Sequence, residues 1–249
     1  SGLNGADNSY YSNGALVFGE GCVDDGEDGD VIWHELGHGL HDWLTGGSLS
    51  QVNGLSEGSG DYWAQSHSRI LNQWPSTAPQ YHWMFSWDGH NPCWGGRTTN
   101  YGAIYPGGLT GSIHTDGQIW ATVNMKIWDV IGRVKTDRAF LEGLALTNSS
   151  TNQQNAAIAV RQAAINMNYS CADVKVFTDN YTAAGYVMPA IPLMINCPGN
   201  QTATADGLGN YSLPDFSGLA NAINSNCDAV ITQNPAIGST VGVGNHTIT

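Results

Sequence analysis

The sequence predicts an α+β protein, with helices in the first three quarters of the chain and short strands in the last quarter. Apolar residues recur with helical spacing between residues 31 and 167, whereas short β-branched runs without that spacing follow Tyr186. Apolar residues make up 41% of the 249 positions and charged residues only 12%. This composition is typical of a globular chain rather than a disordered one.

The charge balance excludes one class of partner. The formal net charge is −13, with only eight Lys plus Arg, so a nucleic acid or an anionic membrane surface would be repelled. No apolar run approaches the roughly 20 residues that span a bilayer. The first residues do not resemble a signal peptide, so for a secreted protein we expect the leader to have been removed.

The N-terminal elements are predicted in a simple order. Residues 15–18 form a short apolar run that predicts a strand, and an acidic, turn-rich loop follows at 20–30. Helical spacing then runs over 31–44 and stops at Gly46 and Gly47, and a second helix is expected over about 56–71.

The rest of the chain divides into an irregular stretch, more helices and a tail. Residues 72–111 are rich in Trp, Gly, Pro and Asn and predict a long irregular connection. Three further helices are predicted at 113–134, 139–146 and 153–167. We place a domain boundary near residue 190, which gives a first domain over 1–190 and a second over 191–249. Strand-like runs in the tail include 229–232 and 246–249.

The segment His34-Glu35-Leu36-Gly37-His38 predicts a metal site on the first helix. Histidines at i and i+4 share one helix face, so both imidazoles can reach one ion. Glu35 lies roughly 100° around the helix and can face an open coordination position without binding the metal. Composition alone gives this motif in roughly 0.5% of shuffled sequences, so chance is the alternative.

Glu57 is the candidate third ligand, because a catalytic zinc site uses three protein ligands and keeps one position open. Asp61 follows at i+4 on the same face, where it can accept the second N–H of His34. The alternative is a pair of carboxylates near a helix N-terminus, favoured only by the helix dipole.

These residues stand in runs that resemble a known family. Residues 30–47, DVIWHELGHGLHDWLTGG, and 56–64, SEGSGDYWA, resemble the fungalysin zinc endopeptidases, which are relatives of thermolysin. The resemblance implies a mainly helical thermolysin-like fold with a short edge strand. It also implies that zinc is bound by His34, His38 and Glu57, and that Glu35 is the general base.

The resemblance assigns further roles. The block around His114, GSIHTDGQIWA, resembles the family's segment with a substrate-facing histidine; a histidine that merely starts a helix is the alternative. Asn8 and Ser9 resemble an edge strand that binds the substrate backbone. Asp30 matches a calcium-binding position of thermolysin, and the acidic loop around it could bind calcium, with a solvated loop as the alternative. Arg97 is a candidate for holding a substrate carbonyl, or a plain surface arginine.

The chain also departs from the family. No tyrosine lies between His38 and Glu57, so a phenolic partner for the oxyanion must come from elsewhere, with Tyr101 and Tyr105 as candidates. Only 33 residues precede His34. We therefore expect the β-rich portion that the family has before its zinc helix to be short or missing. Either the chain is a processed or truncated piece, or a shortened catalytic unit closes its cleft differently.

The tail resembles a hyalin-repeat module, an all-β immunoglobulin-like sandwich, through residues 195–202 and 232–244. The module is expected to be incomplete and to bind protein or carbohydrate. The five cysteines contain no CxxC pair and predict disulfides, and their odd number leaves one thiol unpaired or paired outside the chain. Within the resemblance, Cys197 and Cys227 are the natural pair if no other partner exists.

Together these observations predict a secreted, extracellular zinc endopeptidase that acts on proteins or peptides, with calcium as a second candidate ion. Two alternatives remain open. The chain could be a non-catalytic metal-binding fragment of a larger adhesive protein, in which case a fourth protein ligand would close the zinc site. It could also be a zinc hydrolase that acts on something other than peptides.

Overall fold

The computed structural model describes residues 2–3 and 5–249, with side chains from residue 5 onward. Over these residues the chain is α+β, as predicted, with six α-helices and short strands in small sheets. The helices are α1 Gly29–Leu44, α2 Leu55–Ile70, α3 Ile113–Ile131, α4 Arg133–Leu144, α5 Gln153–Asn166 and α6 Cys171–Ala183. In this described part, no helix has both the length and the apolar character to cross a bilayer.

The strands are all short and form four small sheets. They are β1 Gly2–Leu3, β2 Tyr10–Ser12, β3 Ala15–Gly19, β4 Trp83–Met84, β5 Arg97–Thr98, β6 Met194–Asn196, β7 Asn210–Ser212, β8 Asn221–Ile223 and β9 Thr240–Gly242. The first sheet has the order β1-β3-β2, with β1 parallel and β2 antiparallel to β3. β4 pairs with β5, β6 with β8 and β7 with β9, all antiparallel.

The chain forms two compact units. The first comprises residues 1–167 and 176–189, and the second comprises 168–175 and 190–249. The second unit therefore includes the first turn of α6, which is distant in sequence from the tail.

Within the first unit, α1 begins at a clear signal. The side chain of Asp28 accepts a hydrogen bond from the amide N–H of Asp30 and caps the helix. The helix then packs closely on α2, because glycines face each other at the crossing. A Cβ added to Gly37 would lie 2.7 Å from Gly60 Cα, a distance that no real side chain could hold.

An aromatic cluster forms the core behind these helices. Trp120 of α3 is fully buried and contacts the rings of Phe140, Tyr181 and Tyr186, while Tyr62 of α2 packs on Phe140. Rings of this size dominate core energetics, since each buries 150–250 Å². The core therefore fixes α2 and α3 relative to each other, and these two helices contribute residues to the site described below.

The predicted helices are present, with three differences from the prediction. The helix expected over 139–146 is α4, which begins six residues earlier, at Arg133, and ends at Leu144. The helix expected over 113–134 ends at Ile131, because Gly132 has a positive φ of 79° and separates α3 from α4. α6 was not predicted. Its buried Val174, Phe177 and Tyr181 have helical spacing and were the available signal.

The second unit differs from the expectation in two ways. Its two ladders are β6–β8 and β7–β9, whereas 229–232 and 246–249 form no strand beyond one pair of backbone hydrogen bonds between Asn234 and Thr249. The expected Cys197–Cys227 pair is wrong: Cys227 is bonded to Cys171, and Cys197 is free and exposed. Cys171 is available because its helical turn belongs to this unit.

Candidate metal centre

The two packed helices bring the three predicted zinc ligands together. His34 and His38 lie one turn apart on α1, and Glu57 lies in the first turn of α2. All three are at most 8% exposed. Gly60 makes room for this arrangement, because a Cβ there would lie 2.7 Å from His34 Nδ1.

The distances between the donor atoms fit a tetrahedral zinc ion. Bonds of 2.0–2.1 Å place two ligands of a tetrahedral zinc about 3.3 Å apart. His34 Nε2 lies 3.1 Å from His38 Nε2 and 3.4 Å from Glu57 Oε2, and His38 Nε2 lies 3.6 Å from Glu57 Oε1. The donor set, two imidazoles and a carboxylate, is also one that zinc prefers. These residues therefore fit the ion that the sequence predicts.

Each imidazole is oriented by a second contact on its other nitrogen. His38 Nδ1 lies 2.8 Å from Ser56 Oγ, and with Nδ1 donating to that hydroxyl, Nε2 presents its lone pair to a metal. His34 Nδ1 lies 2.9 Å from Asp61 Oδ1, as predicted from the i+4 spacing of Asp61 and Glu57. Asp61 itself is fully buried.

Burial, neighbouring charges and hydrogen bonds all shift the pKa values of these groups. Burial lowers the pKa of His38 to about 3, so its imidazole is neutral. Burial and the charge of Arg97 lower the pKa of His34, but the hydrogen bonds to Asp61 and Glu57 outweigh them and raise it to about 9. Burial would raise the pKa of Glu57, yet the hydrogen bond and charge of His34 hold it well below its usual range. The Glu57 carboxylate is therefore ionised.

Glu35 is close to the two histidines and has an unused oxygen. One of its carboxylate oxygens lies within 4.8 Å of a ring nitrogen of His34 and of His38. Its Oε2 is buried and has no hydrogen-bond partner among the residues described. Burial, opposed in part by His34, raises the pKa of Glu35, which moves this carboxylate towards the range that a general base needs.

His114 and Arg97 approach Glu57 from other elements, and Arg97, with Nη1 3.9 Å from Glu57 Oε2, also contacts Asp61. His114, at the start of α3, places Nε2 3.4 Å from Glu57 Oε2 and keeps an exposed side chain. Arg97, on β5, is buried and places Nη2 2.9 Å from Asp61 Oδ1. Its guanidinium lies over the rings of Phe85 and Trp94, at 4.7 and 5.7 Å. Arg97 is thus part of the centre and not a surface arginine.

A cavity of about 750 Å³ lies over the centre. Its lining includes His34, Glu35, His38, Glu57, Arg97, His114, Asn8 and Ser9. Within the first sheet, β2 is an edge strand, and Asn8 and Ser9 directly precede it. The Ser9 hydroxyl is already engaged: it donates to Asp25 Oδ2 at 2.6 Å and accepts from the Gly19 N–H at 3.2 Å. The Ser9 hydroxyl has therefore used its single donor and can only accept a further hydrogen bond, so donation to a ligand must come from the Ser9 backbone N–H.

Asp30 does not line the cavity over the metal centre. One oxygen accepts a hydrogen bond from Ser68 Oγ, and the other accepts from the Phe85 N–H at 2.9 Å. Asp30 thus joins the start of α1 to α2 and to the loop after β4. Of the acidic loop at 20–30, only Asp25 belongs to a cluster of possible metal ligands in the part of the chain that the structure describes.

Two neighbours of the centre were missed from the sequence. The Gln51 amide donates to Glu57 Oε1 at 3.0 Å, and Ser56 orients His38. In the sequence, the only signal for these two residues was their proximity to Glu57.

The two tyrosines suggested for the oxyanion, Tyr101 and Tyr105, do not line the cavity, and the ring of Tyr105 instead stacks on Tyr186. Tyr10 and Tyr11 do line it, and Tyr11 donates to Asp42 Oδ2 at 2.8 Å.

No family model matches the chain, and no curated protein matches it.

Proposed function

We propose that this chain is a secreted zinc endopeptidase with a thermolysin-like catalytic unit. One observation carries the proposal: two imidazoles and a carboxylate converge at zinc-ligand spacing in a cavity that also contains Glu35 and His114. The two disulfides, Cys22–Cys93 and Cys171–Cys227, support an oxidising, extracellular environment.

In this proposal each residue has a separate task. His34, His38 and Glu57 would hold the zinc, which supplies Lewis-acid polarisation of a carbonyl and acidifies water. Glu35 takes the proton that the attacking water loses and delivers it to the leaving amine. Asp61 orients His34 through its Nδ1.

The charge that develops on the peptide oxygen needs donors on the protein. His114 is the candidate, because its Nε2 lies 3.4 Å from a zinc-ligand oxygen and its side chain is accessible to a substrate. Arg97 offers a second donor, a guanidinium whose buried Nε has no partner among the described residues. Asn8 and the backbone of Ser9 would hold the substrate chain along the edge of the first sheet.

The test is hydrolysis of casein by the purified chain, with and without a zinc chelator, together with the variant Glu35→Gln. We expect the wild-type chain to cleave casein only with zinc, and Glu35→Gln to retain zinc while losing cleavage. Glu142→Gln is a matched control, since Glu142 is exposed on α4 and is not among the residues that line the cavity. Casein cleavage by the Glu35→Gln chain at the wild-type rate would contradict the proposal.

One observation favours the alternative of a structural zinc site in a non-catalytic chain. The oxygen of Glu35 that lies within 4.8 Å of both histidines could act as a fourth ligand, and four protein ligands close a zinc site. The same variant separates the two functions. If Glu35 is a ligand, Glu35→Gln loses zinc affinity by orders of magnitude; if it is the base, zinc affinity stays near that of the wild type.

For the second unit we propose a hyalin-repeat-like role in binding protein or carbohydrate. Its two short antiparallel ladders are compatible with a small β module. A pull-down of the full chain on immobilised glycans and extracellular proteins, compared with a chain ending at residue 189, would test the role. Equal binding by both chains would contradict it.

A further inference from the structure

A second group of carboxylates lines the same cavity. Asp7 lies before β2, Asp25 in a 3₁₀ turn at Asp25–Glu27, and Asp88 in the loop between β4 and β5. One carboxylate oxygen of each residue lies within 4.8 Å of those of the other two. The disulfide Cys22–Cys93 joins the two segments that contain Asp25 and Asp88. Three separate parts of the chain thus direct acidic groups at one point.

The negative charge at this point has no positively charged partner among the described residues. Asp25 is only 3% exposed, and its Oδ1 is buried without any hydrogen-bond partner. Asp88 is 8% exposed, and none of the three aspartates forms an ion pair with a described Lys, Arg or His. Burial, followed by the charges of Asp25, Asp7 and Asp28, raises the pKa of Asp88 to about 6. At neutral pH the cluster therefore holds uncompensated carboxylates, which buried sites avoid unless a cation is bound.

We propose that Asp7, Asp25 and Asp88 bind one Ca²⁺ ion at a site separate from the zinc ligands, a property beyond the proposed peptidase function. The donor set is all oxygen, which hard cations prefer and which zinc, with its preference for imidazole and thiolate, does not. Ca–O bonds of 2.3–2.6 Å place ligand oxygens at most about 5 Å apart, and the cluster fits within that limit. Water and backbone carbonyls complete the coordination of Ca²⁺ in such sites.

The ion would also hold one wall of the cavity. Ser9 donates to the second oxygen of Asp25, and the Gly19 N–H donates to Ser9, so the segment before β2 is tied to Asp25. Charge repulsion between Asp7 and the other two carboxylates opposes this arrangement when no cation is present. Calcium therefore orders the segment that contains Asn8 and Ser9.

The test is calorimetric titration of Ca²⁺ into the full chain, zinc-saturated and carrying Glu35→Gln so that self-cleavage does not interfere. We expect one Ca²⁺ per chain, with a Kd between about 10⁻⁵ and 10⁻³ M, and a rise in Tm with calcium concentration. Asp7→Asn, Asp25→Asn and Asp88→Asn should each weaken binding by about tenfold or more, because each removes one of three charged ligands. Glu27→Gln is the matched control: Glu27 is exposed in the same turn and should leave the Kd within about twofold.

Several outcomes would overturn the proposal. They are the absence of binding up to about 10 mM Ca²⁺, a Kd in Asp7→Asn and Asp88→Asn equal to that of the control, and Mg²⁺ binding as tightly as Ca²⁺. Asp7 is exposed, so Asp7→Asn keeps the test valid if the buried Asp25→Asn fails to fold. In the catalytically active chain, a preference for Lys or Arg substrates that Asp7→Asn abolishes without any calcium effect would make the cluster a substrate pocket instead. Calcium binding is measured in a chain without the general base, so its failure is distinct from failure of the peptidase proposal.

Discussion

Gly60→Ala is the sharpest perturbation of the metal centre, because it adds one carbon at the point where α1 and α2 cross. The new Cβ would lie 2.7 Å from His34 Nδ1 and 2.8 Å from both Cε1 and the carbonyl oxygen of His34. An ordinary contact needs about 3.4 Å or more, since carbon atoms pack at roughly 3.5–4.0 Å. The ring must therefore move by about 0.7 Å, or the helices must separate by a similar distance.

The energetic cost follows from these contacts. Overpacking of a tight core costs about 1–3 kcal/mol, and the better helix propensity of Ala returns about 0.5–1 kcal/mol. We therefore expect a net loss of roughly 0–2.5 kcal/mol in the free energy of unfolding. Zinc affinity should fall further, by about 10–100-fold, because the displaced group is the nitrogen that orients His34 on Asp61.

The assay is zinc affinity by chelator competition, with thermal unfolding of the metal-free chain measured in parallel. Gly29→Ala is the matched control, since Gly29 is also helical and has nothing within 4 Å of an added Cβ. It should leave zinc affinity unchanged. A Gly60→Ala chain that binds zinc as tightly as the wild type and unfolds at a higher temperature would refute the packing argument.

Two further predictions concern buried carboxylates. Asp61→Asn should lower zinc affinity by about 10–100-fold without abolishing it, because Asp61 contacts His34 and Arg97 rather than the metal; unchanged affinity in a chelator competition would contradict this. Burial raises the pKa of Asp30 from 3.8 to about 6, so the unfolded chain releases this proton first and the free energy of unfolding should fall by about 3 kcal/mol as the pH rises from about 4 to 6. Denaturant unfolding of the metal-free chain should show this fall in the wild type, and in Asp30→Asn the fall should be smaller by about the same amount. If the free energy of unfolding depends on pH equally in the two chains, the prediction is wrong.

The convergence of the candidate zinc ligands could be predicted from sequence because their geometry is mostly local. Two histidines at i and i+4 on a helix share a face whatever the rest of the fold does. The contact of Asp61 with His34 was predictable for the same reason, once Glu57 was placed on the facing helix. These contacts follow from helix periodicity together with a single assumption, that α1 and α2 cross.

The remaining features depend on contacts that are distant in the chain. Asp25 and Asp30 are both acidic residues of one turn-rich loop, yet Asp30 accepts hydrogen bonds from Ser68 and Phe85, while Asp25 joins Asp7 and Asp88. Nothing in the local sequence distinguishes them, because their partners lie in other parts of the chain, on α2 for Ser68 and in the loop after β4 for Phe85. The disulfide pairing was missed for a similar reason: Cys171, the partner of Cys227, lies 19 residues before Ala190, where the tail begins.

The charge of the cavity links its two clusters of candidate ligands. With both imidazoles neutral, Glu35, Glu57 and Asp61 contribute three negative charges and Arg97 one positive charge, which leaves the centre at −2. The pKa of His34, raised to about 9, shows that a proton is drawn to this deficit. The cluster of Asp7, Asp25 and Asp88 adds up to −3 at neutral pH, and Arg97 is the one Lys or Arg among the residues that line the cavity in the described chain. Buried charge of this size is tolerated only when it is compensated. Two divalent cations, one with nitrogen and oxygen ligands and one with oxygen ligands alone, would supply that compensation in a cavity whose described lining contains no second Lys or Arg.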